Sequence, residues 1–132
     1  MPAVRVTGFD HIVLRVSDVE ASLAFYCDEL GLQAERADEW RRGEVLFPSV
    51  RIDRTTVIDL LGAPRDGQRP APGAQGNLDH FCLVIEPTDL DALAERFPGS
   101  QRADGLFGAQ GFASSVYLHD PDGNTIELRS YT

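Results

Sequence analysis

Cysteine is scarce: Cys27 and Cys82 are the two in 132 residues, and neither stands in a CxxC pair. Two isolated thiols cannot build a disulfide framework, and without paired spacing they describe neither a zinc ribbon nor a redox dithiol. Both are expected to be free. Positive charge is also in deficit. Twelve Lys and Arg stand against 21 Asp and Glu, a formal net charge of −9, and that field repels nucleic-acid backbones and anionic headgroups alike. No apolar run approaches the roughly 18 residues of a membrane span, and the opening MPAVRVTGFD lacks the apolar stretch of a signal peptide. Neither nucleic acid nor membrane is expected as a partner, and a cytoplasmic location is expected.

What is present is a globular composition. With 42% hydrophobic and 25% charged residues the chain is too apolar to be disordered, and its length suits a single domain with one adequate core. An internal repeat organises that domain. FDHIVLRVSDVEASLA from Phe9 has a counterpart in LDHFCLVIEPTDLDALA from Leu78, 69 residues on, and TVIDL from Thr56 matches NTIEL from Asn124 at a separation of 68. Two modules follow, 9–61 and 77–131, joined by a Gly-, Pro-, Arg- and Gln-rich connector over 62–76.

Each module opens with a short β-branched run, 12–16 and 81–85, that predicts a strand. A helix should follow each. Ser17 with Glu20, and Thr88 with Asp91, have capping-box spacing, and Gly31 and Pro98-Gly99 supply stops. Val19, Leu23, Tyr26 and Leu30 form one stripe, and Leu90, Leu93 and Phe97 another. Further strands are expected over 32–37, 45–52 and 55–61, then 112–119 and 124–129, with 100–111 ambiguous. The fold class is α+β, a βαβββ unit used twice.

The repeat also places chemistry. His11 and His80 open equivalent strands, and Asp59 and Glu127 lie near equivalent module ends, 48 and 47 residues downstream. Strand side chains alternate between faces, so these four point away from the apolar neighbours that pack on the helices. If the modules face one another about a pseudo-two-fold axis, two imidazoles and two carboxylates converge, a nitrogen and oxygen set for one divalent cation. Zn, Ni, Co, Mn and Fe all accept such donors. The turn signal at Asp120-Pro121-Asp122-Gly123-Asn124 registers the final hairpin with Tyr117 opposite Glu127 and His119 opposite Thr125. Ser115, Tyr117 and His119 then share the carboxylate's face, and Tyr117 becomes the expected substrate-contacting or ligand-supporting residue.

DHIVL at Asp10 with SDVEASLAFYCDELGL, VIDLL at Val57, LDHFCL at Leu78 and SSVYLHDPDGNTIELRSY at Ser114 together resemble the vicinal oxygen chelate superfamily. That group includes glyoxalase I, extradiol dioxygenases, methylmalonyl-CoA epimerase, and fosfomycin-modifying and bleomycin-binding proteins. The resemblance covers nearly the whole chain. It implies a curved, mixed eight-stranded sheet around a metal-binding cleft, usually completed in a homodimer, with a small molecule as substrate or ligand. It carries metal-ligand roles to His11, His80 and Glu127. Asp59 matches a position that is Glu in glyoxalase I and is one methylene shorter, so it is expected in or next to the coordination sphere, as a ligand or as a base. Val13 replaces the hydroxyl residue of fosfomycin-modifying members. The implied function is metal-dependent lyase or isomerase chemistry on a small oxygen-rich substrate, with Asp59 or Glu127 moving the proton. The alternatives are an iron-dependent ring-cleaving dioxygenase, which uses the same donors, and a drug- or metabolite-sequestering protein without turnover.

Cys82 is expected as a small packed side chain, Arg15 as a carboxylate-paired cation, His119 as exposed, and Trp40, Phe47 and Phe107 as core. For Glu127 the competing reading is an ion pair with Arg15 or Arg129.

Overall fold

The computed structural model describes residues 2–62, 77–119 and 125–131. Gly62 alone of the connector 62–76 falls within them, and the turn at 120–124 lies outside them. The elements are β1 (Val6–Arg15), α1 (Val19–Leu23) continuing into a π-helical segment (Ala24–Glu29), β2 (Gln33–Glu35), α2 (Ala37–Arg41), β3 (Ser49–Asp53) and β4 (Thr56–Leu61), then β5 (Leu78–Ile85), α3 (Leu90–Arg96), β6 (Gln101–Gly108), β7 (Gly111–His119) and β8 (Thr125–Ser130). The fold is α+β, with eight strands in the order β2-β3-β4-β1-β5-β8-β7-β6. Parallel pairing of β5 with β8 beside antiparallel hairpins makes the sheet mixed. Two compact units divide the chain: Met1–His11 with His80–Thr132, and Ile12–Asp79. Among the described residues no helix is long and apolar enough to cross a membrane.

In the Ile12–Asp79 unit, β2, β3 and β4 form an antiparallel meander in which Glu35 opposes Ser49 and Ser49 opposes Asp59. Val19 and Leu23 of α1 pack with Val50 and Leu60, and Val16, Tyr26, Trp40 and Ile58 close around them. Strand parity therefore held for Ile58 and Leu60. The helix stripe held only in part: Leu30 is 56% exposed. Beyond Leu23 the helix widens, and the Leu30 N–H reaches back five residues to the Phe25 carbonyl at 3.1 Å, which turns Leu30 off the buried stripe. Gly31, at φ 77°, ends the segment as expected.

The cap of α1 is Asp18 rather than Ser17. Asp18 is the last extended residue, and its carboxylate accepts the Ala21 N–H at 3.1 Å, while Glu20 pairs with Arg41. Asp89 replaces Thr88 in the same way, accepting the N–H groups of Asp91 and Ala92. In both cases the cap sits one residue closer to the helix than the hydroxyl. The strand expected over 32–37 stops at Glu35 because Arg36 takes a left-handed conformation at φ 61°. The short helix α2 follows, with acids in its first turn and Arg41 in its last, as the helix dipole favours.

In the other unit, Ile85, Leu90, Leu93, Val116 and Leu128 form the buried cluster, with Leu83, Phe97, Leu118 and Ile126 packed on it. The ambiguous stretch 100–111 resolves into β6, which pairs with β7 from Gln101 opposite Tyr117 to Gly108 opposite Gly111. Along β7, Val116 and Leu118 take the core face, leaving Ser115 and Tyr117 for the other. β7 and β8 pair with Tyr117 opposite Glu127 and His119 opposite Thr125, the register counted from the turn residues. The first half of β1 lies beside β5 here: the Glu86 N–H donates to the Arg5 carbonyl at 3.0 Å, and Phe9 stacks on Phe81 at 6.0 Å between centroids.

Candidate metal centre

His11, His80 and Glu127 belong to this second unit, and all three are buried. A carboxylate taken out of water must replace its hydration with donors, and Glu127 does so at both oxygens. Oε1 lies 3.1 Å from His11 Nε2 and 3.2 Å from His80 Nε2. Oε2 accepts from Ser115 Oγ at 2.7 Å and from an Arg129 guanidinium nitrogen at 3.0 Å. Burial pushes the Glu127 carboxyl up, but hydrogen bonds from both histidines, the charge of His11 and the Ser115 hydroxyl outweigh it and hold it far below the usual range. The two imidazoles meet edge to face at 5.4 Å, and Tyr117 meets His80 in the same way at 5.4 Å. Burial, followed by the nearby Glu127 charge, pushes the Tyr117 phenol up, so that it stays protonated.

One ligand atom from each of His11, His80 and Glu127 falls within a common 4.8 Å span. The donors are two nitrogens and one oxygen, suited to a divalent transition metal. His11 turns its second nitrogen, Nδ1, to Asp10 Oδ1 at 2.7 Å, which is the support a ligating imidazole ordinarily has. The residues present therefore fit a metal. Asp59 is placed in the Ile12–Asp79 unit, buried, where Ser49 Oγ donates to its Oδ1 at 2.5 Å.

Behind the three donors stands a network in which sequence reasoning assigned no role to Asp10 or Tyr131. Asp10 accepts from His11, from the Ala109 N–H at 3.0 Å and from the Tyr131 hydroxyl. Burial alone pushes its carboxyl up, and these hydrogen bonds with the charge of His11 reverse the shift to below the ordinary value. Arg129, fully buried, bridges the network. It holds Glu127 Oε2, places Nε 3.9 Å from Asp10 Oδ2, donates to the carbonyls of Leu106 and Gly111, and lies 5.0 Å over the Tyr131 ring. The ion pair of Glu127 with Arg129 coexists with the histidine contacts because each uses a different oxygen. Arg15 instead pairs with Asp79 at 2.8 Å.

The β6–β7 hairpin closes over Arg129. A Cβ on Gly108 would lie 2.5 Å from Arg129 Nε, so Gly108→Ala is expected to destabilise the protein by about 1–3 kcal/mol through overpacking. Denaturant titration checks this; an unchanged midpoint would show that the guanidinium shifts freely.

The remaining candidates sort by environment. Cys82 is buried among Asp10 and His11, and burial with the charges of Glu127 and Asp10 pushes its thiol up, keeping it neutral. His119 is exposed beside Thr125 Oγ1 at 3.3 Å. Trp40 packs on the α1 core, Phe47 lies under Arg36, and Phe107 meets Phe112.

With the sheet order and three converging donors in place, the class is defined. The chain belongs to the glyoxalase/bleomycin resistance protein/dioxygenase superfamily, whose family model matches residues 8–128. It is 30% identical over 130 residues to the virulence protein STM3117 of Salmonella typhimurium, covering 96% of this chain and 85% of that one. It is 25% identical over 120 residues to a probable lactoylglutathione lyase of Synechocystis, covering 89% and 91%. Among solved structures, methylmalonyl-CoA epimerase from Mycobacterium tuberculosis superposes with a TM-score of 0.64 at 20% identity, covering 100% of this chain and 93% of that one, a likeness of fold.

Proposed function

We propose that the protein is a divalent-metal-dependent enzyme of glyoxalase type, a lyase or isomerase acting on a small oxygen-rich molecule, and that it works as a homodimer. The observation that supports this is the meeting of His11 Nε2 and His80 Nε2 at one oxygen of a buried, ionised Glu127. These three groups would hold the cation. When bound, the cation supplies Lewis acidity toward substrate oxygens that develop negative charge. Both oxygens of Glu127 are engaged, so its role is to hold rather than to abstract. For proton transfer the repeat offers Asp59, the carboxylate at the equivalent position. Tyr117, a protonated phenol beside His80 that hydrogen-bonds to Glu127, would turn that donor to a substrate oxygen.

A second reading rests on the same donors. Two histidines and one carboxylate are also the set of non-haem iron oxygenases, and dioxygenases belong to this superfamily. Elemental analysis of protein purified without chelators tests the proposal. About one equivalent of metal is expected in the wild type and a tenth or less in His11→Ala and His80→Ala, variants that lose a direct ligand. Turnover of the hemithioacetal of glutathione without oxygen uptake would support lyase chemistry, and oxygen uptake with a catechol would support the second reading. A folded wild type without metal would overturn both and leave sequestration.

A further inference from the structure

Strand register lets the two halves of the repeat be compared rung by rung. Asp59 opposes Ser49 in one module and Glu127 opposes Tyr117 in the other, so each acid faces a hydroxyl. Two residues nearer the connecting turn, Arg51 opposes Val57 and His119 opposes Thr125. On the neighbouring strand Glu35 opposes Ser49 and Gln101 opposes Tyr117. Arg51 and His119 are therefore equivalent, and so are Glu35 and Gln101. Diagonal neighbours of this kind lie within reach of long side chains. In the first module the diagonal is an ion pair, the Arg51 guanidinium on the Glu35 carboxylate. In the second, an amide stands in place of the acid and an imidazole in place of the guanidinium, and the ion pair is gone.

The altered diagonal belongs to the unit that carries His11, His80 and Glu127. Alternation puts it on the Glu127 face, where Ser115 and Glu127 are buried, Tyr117 is half-buried, and Gln101 and His119 are exposed. The face thus opens outward from the three ligands. His119 Nδ1 contacts Thr125 Oγ1 at 3.3 Å, which holds the ring and leaves Nε2 for another partner. Among the described residues the Gln101 amide meets no hydrogen-bonding partner.

We infer that Gln101 and His119 are specificity-determining residues that receive a carboxylate at the far end of the substrate. The base on the first module's diagonal takes its carboxylate from Glu35 of the same chain. The second module offers an amide instead, so the acid that completes the diagonal comes from outside. Gln101 supplies N–H donors and His119 its outward ring nitrogen, and donors to an ionised carboxylate make the stronger class of hydrogen bond. Their rung lies roughly 6–7 Å from that of Glu127, two residues along a strand. The substrate class is a small acid with vicinal oxygens at one end and a carboxylate at the other. This rests on the reading of His11, His80 and Glu127 as a metal centre.

The test titrates zinc-loaded protein calorimetrically with two acids. 2-Hydroxybutyrate has the chelating end alone, and 2-hydroxyglutarate adds a carboxylate at the other end. Wild type is expected to bind the diacid at least about 10-fold more tightly, the worth of a charge-assisted hydrogen bond. His119→Ala should lower the diacid to the level of the monoacid. Gln101→Glu rebuilds the first module's arrangement, placing a carboxylate of the chain itself beside His119, and should also erase the preference. Both positions are exposed, and zinc uptake by each variant shows that it is folded. Equal affinities for the two acids in zinc-loaded wild type overturn the inference and leave the metal centre standing. A preference that survives in either variant does the same. Wild type that takes up no zinc overturns the proposed function and this inference together.

Discussion

Replacing Arg129 by methionine is expected to lower the unfolding midpoint of the metal-free protein by about 10–20 °C, the equivalent of roughly 3–5 kcal/mol for stripping a buried charge of its partner. The side chain is fully buried and serves two acids at once, with one guanidinium nitrogen at 3.0 Å from Glu127 and Nε at 3.9 Å from Asp10. Its other terminal nitrogen satisfies the carbonyls of Leu106 and Gly111. Methionine fills much of the volume but removes this donor from both carbonyls and one cation from each carboxylate. A double-mutant cycle separates the electrostatic part from packing. If the charge pair carries the effect, Arg129→Met combined with Glu127→Gln costs less than the two single losses added together. A midpoint shift under about 4 °C, near 1 kcal/mol for a chain of this size, would show that the network relaxes and that the cation is dispensable.

That network marks the limit of what the sequence discloses. The repeat pointed to His11, His80, Asp59 and Glu127, of which His11, His80 and Glu127 form one cluster, and the alternation of side chains placed Ser115 and Tyr117 beside Glu127, because turn-forming residues in the sequence predict register from local geometry alone. Hairpin pairing of Tyr117 with Glu127 confirms that step. Asp10 escaped because alternation sends it away from His11, whereas its contacts come from Ala109 and Tyr131, 99 and 121 residues distant. No local rule finds partners at that separation. Arg129 was visible only as a competitor for Glu127, since sequence cannot show that a carboxylate will divide its two oxygens between a cation and two imidazoles. The helical errors have a different origin: π-winding after Leu23 and the left-handed Arg36 are small backbone choices made by the surrounding packing, and periodicity averages over them.

Glu127→Gln should abolish stoichiometric metal binding, with zinc affinity falling by roughly two to three orders of magnitude. That range corresponds to about 3–4 kcal/mol, within the usual loss for removing one partner from a buried charge cluster, at 1.4 kcal/mol per tenfold. The substitution is nearly isosteric, so the loss reports charge rather than shape. Only one oxygen is available to a cation, because Ser115 and Arg129 occupy the other at 2.7 and 3.0 Å. An amide at this position cannot satisfy every neighbour: its oxygen can keep either the serine and arginine or the two imidazoles, and the charged arginine competes better for it. The amide nitrogen then turns toward His11 and His80 and opposes a cation. Ser115→Ala provides the contrast, since it removes one donor from Oε2 while the carboxylate charge and Oε1 remain; zinc affinity should fall by less than about tenfold, the worth of one ordinary hydrogen bond. Calorimetric titration with zinc, alongside a thermal melt to show that each variant is folded, reads both outcomes. A folded Glu127→Gln protein that binds zinc as the wild type does would remove the carboxylate from the centre and with it the reason for placing a cation between the two histidines.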